Sequence, residues 1–140
     1  MAGLAAVLMG LLATQAQSES RDHEQDLQFF ERRIRPALVT HCYECHSAGS
    51  KKVGGKLYLD HAGGLLRGGE SGSAIVPGRP GESLLIRAIR KENDDLVMPP
   101  DDKPSLPEAV VNDLVEWVRR GAPDPRASPG EKSPRDAQPN

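Results

Sequence analysis

Apolar residues recur at helical spacing in three separate stretches of the chain. In EQDLQFFERRI, residues 24–34, Leu27, Phe30 and Ile34 fall at i, i+3 and i+7 and predict an amphipathic helix with one buried face. Pro36 has no N–H, and its ring presses on the carbonyl four residues back, so it predicts a kink or an end to that helix. A proline also suits the first turn of a helix. PALVTHC, residues 36–42, therefore reads as a new helix of one or two turns that delivers Cys42 from its end. The second stretch, RPGESLLIRAIRKEN, sets Leu84, Leu85, Ala88 and Ile89 on one face, with Pro80 and Glu82 suited to the first turn. In the third, Val110, Val111, Leu114, Trp117 and Val118 form a stripe, and Trp117 reads as ordinary core. Ser105 and Glu108 read as an S-x-x-E capping box around Pro107, with Arg119 and Arg120 in the last turn and Gly121 as the stop.

Between the helices the periodicity lapses. Residues 47–78 are dense in glycine. Only KLYLD alternates, as a short strand or extended segment, and the rest reads as loop. Such glycines let backbone approach a ligand closely, and a loop of this length in a compact domain is functional or disordered. The prolines of DDLVMPPDDKP bar a continuing helix there. At the N-terminus, residues 2–13 form an apolar run followed by Thr14-Gln15-Ala16, the pattern of a secretory signal cleaved after Ala16. The run is too short to span a bilayer, which takes about 20 apolar residues. It also lacks a preceding Lys or Arg, and a helix packed on the domain is the other reading. The predicted organisation is a signal peptide at 1–16, a linker at 17–25, a folded domain at 26–122 and a disordered Pro/Ser-rich tail or linker at 123–140.

Composition sharpens the picture. With aromatic residues at only 4% of the chain, a single domain of this size buries a thin core, which a large apolar cofactor would fill out. A net charge of −2 without basic runs argues against a nucleic-acid surface and against a polybasic membrane arm.

Both cysteines lie in THCYECHS, residues 40–47. Cys42 and Cys45 are separated by two residues in the manner of a dithiol redox pair, half a zinc site or a haem-attachment motif, and His46 directly after them favours the last, C-x-x-C-H. Two thiols on one turn reach the two vinyl groups of a haem, and the adjacent imidazole faces the iron. A dithiol oxidoreductase expects a βαβ framework, and a zinc site expects four ligands; neither is apparent beyond His41, His46 and His61. Of the three methionines, Met1 and Met9 fall in the leader, which leaves Met98 on a Pro-Pro loop as candidate second axial ligand, with His61 and His41 as substitutes.

Taken together, FERRIRPALVTHCYECHS, GGKLYLD, GGESGSAIVPG, ESLLIRAIR, MPP and LPEAVVNDLVEWVRRGAPD resemble the planctomycete-type cytochrome c domain over about residues 29–124. The resemblance implies an all-α, small class I cytochrome c-like fold. Its N- and C-terminal helices would cross, packing Phe30 and Ile34 on Leu114, Trp117 and Val118, and a long Gly-rich loop would surround one covalently bound haem c. It assigns attachment to Cys42 and Cys45, the proximal ligand to His46 and the distal ligand to Met98. Pro77 is the expected carbonyl partner of the His46 ring, and Arg79 and Arg87 the expected propionate partners. The implied function is one-electron transfer by an exported, non-enzymatic carrier acting with a redox partner protein, as a free-standing domain or fused to further domains. A haem-binding sensor or docking module is the alternative. A peroxidase or nitrite-reducing enzyme would need an open axial position that two ligands leave closed.

Overall fold

The computed structural model describes residues 3–92 and 94–126. Most of the predicted tail, residues 127–140, lies outside them. Among the described residues, five α-helices carry the fold: α1 (Gly3–Phe29), α2 (Arg35–His41), α3 (Ala62–Arg67), α4 (Leu84–Ile89) and α5 (Glu108–Arg119). No strand occurs among the described residues, only an isolated bridge between Gly69 and Gly72, so the all-α class holds and KLYLD is extended without a partner.

Pro36 neither ends the first helix nor breaks its path. A five-residue π-turn, Phe30–Ile34, joins α1 directly to α2, closed by a bond from Arg35 N–H to the Phe30 carbonyl. Widening the turn before the proline relieves the clash of its ring with the helix and dispenses with the donor it lacks. Phe30, Ile34 and Leu38 stay on one buried face, and α2 then ends at Cys42 as predicted. Toward the N-terminus α1 continues through the apolar run. The described side chains from Gln17 to Gln25 are exposed, and packing begins at Asp26 and Leu27. No described helix is long and apolar enough to cross a membrane.

The core sits where the π-turn crosses α5. Phe30, Ile34 and Leu38 share one apolar cluster with Leu114, Trp117 and Val118, and the Phe30 and Trp117 rings meet at 5.8 Å and 51°. A tilted aromatic pair adds about 0.5–1.5 kcal/mol beyond its burial. Ion pairs Arg33–Asp113 (2.9 Å) and Arg120–Asp26 (3.1 Å) flank the crossing. Helix α5 ends as predicted: Gly121 has φ +96°, Ala122 N–H bonds to the Trp117 carbonyl and Gly121 N–H to that of Val118, a Schellman stop. Its start differs from the capping-box expectation. Pro107, in extended conformation, precedes the first helical residue and no side chain caps the helix. Leu106, being followed by proline, is driven away from helical angles, so Ser105 lies too early to cap.

Helix α3 is absent from the periodicity because its sequence, AGGLLR, reads as glycine-rich loop. Gly64 is required there: a Cβ would collide with the Tyr58 carbonyl and Cβ. In α4 the buried residues are Leu85, Ile86 and Ala88, with Ile86 fully enclosed and Leu84 at the margin, a rotation of the predicted face. Ser83, also fully buried, joins α4 to the preceding turn. Its hydroxyl accepts from Val76 N–H (2.9 Å) and faces the carbonyls of Arg79 (2.9 Å) and Val76 (3.3 Å). Ser83→Ala strips these buried partners at once. It should cost about 1–3 kcal/mol in urea unfolding of the full chain, and an unchanged midpoint would show that the hydroxyl does not hold the turn.

Candidate functional site

Helix α2 positions the site by ending in it. Its last turn runs into Cys42, whose carbonyl accepts from Cys45 N–H (3.2 Å) and from His46 N–H (2.9 Å), so thiols and imidazole leave one hydrogen-bonded turn. Both cysteines are free; Cys45 is exposed and Cys42 half-buried. Burial, helped by the neighbouring Cys45, pushes the Cys42 thiol up to about 11, which keeps it protonated and unreactive at neutral pH.

The segment after His46 folds back and clasps the turn. Ser47 and Ser50 hydroxyls both donate to the Tyr43 carbonyl (2.7 and 3.0 Å). Gly54 N–H bonds to the Cys45 carbonyl and Leu59 N–H to that of His46, each at 2.8 Å. Asp60 accepts from Ala48 N–H (2.7 Å) and faces His61 Nδ1 (2.9 Å). Burial works against the Asp60 carboxylate, but the hydrogen bonds from Ala48 and His61 outweigh it and hold its carboxyl below the usual range. His61 is thereby a buried packing residue, with its ring against Tyr58. His41 is exposed in the last turn of α2.

His46 stands apart. Its Nδ1 is buried and has no hydrogen-bond partner, and Gly54 backs the ring so closely that a Cβ there would lie 3.2 Å from Cε1. A fold rarely buries an imidazole nitrogen unpaired, at a cost of about 1–3 kcal/mol, unless the ring serves another purpose. Two free thiols and such an imidazole on one turn are the donor set that covalent haem attachment requires, and the residues fit that group. Among the described residues no three His, Cys, Asp or Glu side chains converge as a metal-ion site, so the zinc alternative gains no support.

The loop that bears Met98 touches the same turn at one point, through Lys103. Met98 is half-buried and its N–H bonds to the Ala88 carbonyl at the end of α4, with the following Met98–Pro99 peptide cis. Lys103, farther along the loop, reaches Glu44 between the two cysteines at 2.5 Å. That hydrogen bond holds the exposed Glu44 carboxyl below its usual range.

Of three further sequence-predicted residues, none bonds to His46 Nδ1. Pro77 does not serve His46, whose Nδ1 is unpartnered. Its turn is instead fastened to α5, where Gly78 N–H bonds to the Val118 carbonyl, and to Ser83. Arg79 is exposed and pairs with Glu82 at 3.2 Å. Arg87 is half-buried on α4. An apolar cleft of about 430 Å³ between α3 and the end of α5, lined by Leu65, Leu66, Ile75 and Trp117, includes none of the predicted site residues.

Sequence reasoning missed Asp124 and Arg126, assigned to the tail. Both side chains are only 5% exposed, paired at 2.6 Å, so packed structure runs past residue 122. Trp117 Nε1–H also donates to the Pro123 carbonyl (2.9 Å). The only signal was an Asp-Pro-Arg directly after a helix stop.

The elevated Cys42 thiol has a direct consequence in the haem-free chain. Alkylation of Cys42 should climb about tenfold per pH unit until near its pKa, because only the thiolate reacts, and Cys45 should be modified first at pH 8. Mass spectrometry of partly alkylated protein reads this; equal labelling at pH 8 would refute the burial argument.

Residues 42–102, from the first cysteine through Met98 to Asp102, match the family model of planctomycete cytochrome C. Neither the curated proteins nor the solved structures yield a match. The matched span covers the thiol turn, the extended segment that clasps it, α3, α4 and the methionine loop, and over those residues the chain is similar to a planctomycete-type cytochrome c domain.

Proposed function

We propose that the chain is a one-electron carrier holding one haem c, tethered through thioethers at Cys42 and Cys45 and ligated at iron by His46 and Met98. The observation that carries this reading is the buried, unpartnered imidazole nitrogen of His46 on a turn with two free thiols. When bound, the haem supplies the Fe(III)/Fe(II) couple.

Each residue of the chain has a definite task in that reading. The thiols fix the edge and orientation of the group. The hydrogen bonds from Leu59 and Gly54 hold the turn so that the imidazole keeps one direction, as axial ligands need. Met98 offers a soft thioether, and His/Met ligation raises the potential relative to two histidines. His61, engaged with Asp60 and buried, and His41, exposed in the last turn of α2, are worse placed to compete with it. With His46 and Met98 both holding the iron, no position on it would be left for a substrate, which favours a carrier over an enzyme.

The apolar run ahead of Ala16 suits export, where haem is attached to such motifs, and the working compartment is extracytoplasmic. The exposed pairs Asp94-Asp95 and Asp101-Asp102 flank Met98 and would steer a basic redox partner toward this face.

Protein exported alongside cytochrome c maturation machinery should show a thioether-type haemochrome and a weak near-infrared Met–iron band. Iron-free protein containing zinc would end the proposal. Met98→Ala should keep covalent haem, lose the near-infrared band, bind added imidazole or cyanide readily and lower the potential. An unchanged spectrum would remove Met98 from the iron.

A further inference from the structure

Beyond the last helix, and beyond the stretch matched to the family, a buried ion pair reaches back into the attachment turn. Arg126 forms a bidentate fork with Asp124, Nε to Oδ1 at 2.9 Å and Nη2 to Oδ2 at 2.6 Å, and both side chains are 5% exposed. Its remaining nitrogen, Nη1, donates to the Tyr43 hydroxyl (2.5 Å) and to the Leu59 carbonyl (2.6 Å). The guanidinium lies over the Phe30 ring at 5.0 Å.

The two acceptors sit at meaningful places. Tyr43 lies between the two cysteines. Leu59 is the residue whose N–H holds the His46 carbonyl. One guanidinium thus spans the turn from its Cys42 side to the segment that restrains its His46 side. We propose that Arg126, oriented by Asp124, is a positioning residue of the haem-attachment turn and fixes the direction of the His46 ring. A buried ion pair is weak evidence of stabilisation in itself, since apolar side chains of the same volume fill such space with less desolvation. What apolar side chains cannot do is grip a phenol oxygen and a backbone carbonyl together. The planar fork is needed as well, because a lysine ammonium is a point charge that cannot hold Asp124 in two bonds while reaching both acceptors.

The consequence for the iron rests on the haem reading above, but the clamp can be tested without haem. In the haem-free full chain, hydrogen exchange at the Leu59 amide reports the bond to His46, and the Leu85 amide, bonded to the Ala74 carbonyl, serves as reference. Arg126→Lys should speed Leu59 exchange about tenfold more than Leu85 exchange. Tyr43→Phe, which deletes one oxygen and spares the fold, should produce a smaller effect of the same kind. Equal acceleration of both amides, in either variant, would mean that the pair is only a global stabiliser and would overturn the proposal. In the haem-loaded chain, Arg126→Lys should lower the ratio of reduced to oxidised haem at a fixed solution potential by about tenfold, since outer-shell partners tune the metal, while Ser83→Ala, which loosens a remote turn, should not. A wild-type reduced fraction in Arg126→Lys would also overturn it. If no haem attaches to the wild-type chain, the haem reading fails, and the Leu59 measurement still decides the clamp.

Discussion

Everything in this fold is referred to the contact between Phe30 and Trp117. Phe30 lies at the start of the π-turn and Trp117 near the end of α5, and both rings are completely buried. From that crossing the chain leaves in two directions that matter. Forward from Phe30, α2 carries a fixed length of helix to Cys42, so the attachment turn is placed by rigid geometry. Forward from Trp117, the helix stops at Gly121, and the Trp117 ring holds the Pro123 carbonyl, with Arg126 following over the Phe30 ring. The turn that bears the chemistry is therefore held from both ends of the domain by one pair of rings.

The π-turn is what reconciles this arrangement with Pro36. A regular α-helix through that position would drive the pyrrolidine ring into the preceding turn. A break would let α2 and the cysteines swing relative to the core. The wide turn does neither: it keeps Phe30 and Ile34 on the core face and preserves the path to Cys42. π-turns commonly occur at functional positions for this reason, since they alter register at one point without giving up the helix.

The sequence made some of this legible because periodicity and chemistry agree there. Phe30, Ile34, Leu114, Trp117 and Val118 repeat at helical spacing, and the thiol turn is compact enough for its members to be neighbours by necessity. Helix α3 was hidden because its two glycines, of which Gly64 lies against Tyr58, erase the apolar pattern that marks a helix. The capping box at Ser105 failed because a local motif was overruled by the proline inside it. Pro77 failed for a different reason: which carbonyl faces an imidazole depends on tertiary packing, and the contacts of that turn to Val118 and Ser83 have no local signature. Arg126 was invisible on the same ground, as a charged residue among prolines gives no hint that it is buried.

The distribution of aromatic side chains explains why a buried arginine belongs here at all. The chain has two phenylalanines, two tyrosines and one tryptophan, and four of the five, Phe29, Phe30, Tyr43 and Trp117, lie in or against the single apolar cluster. So thin a core encloses the crossing and leaves little apolar mass to bury the thiol turn beside it. The chain meets that shortage with polar restraint: serine hydroxyls on the Tyr43 carbonyl, Asp60 on Ala48, and the Asp124–Arg126 fork on Tyr43 and Leu59. Hydrogen bonds of this kind are directional where apolar packing is not, and their net contribution to stability is modest, about 0.5–1.5 kcal/mol each. Around Cys42, Cys45 and His46 they hold the turn in one orientation, and in the proposed reading an apolar cofactor bonded to those thiols would complete the core that the side chains leave thin.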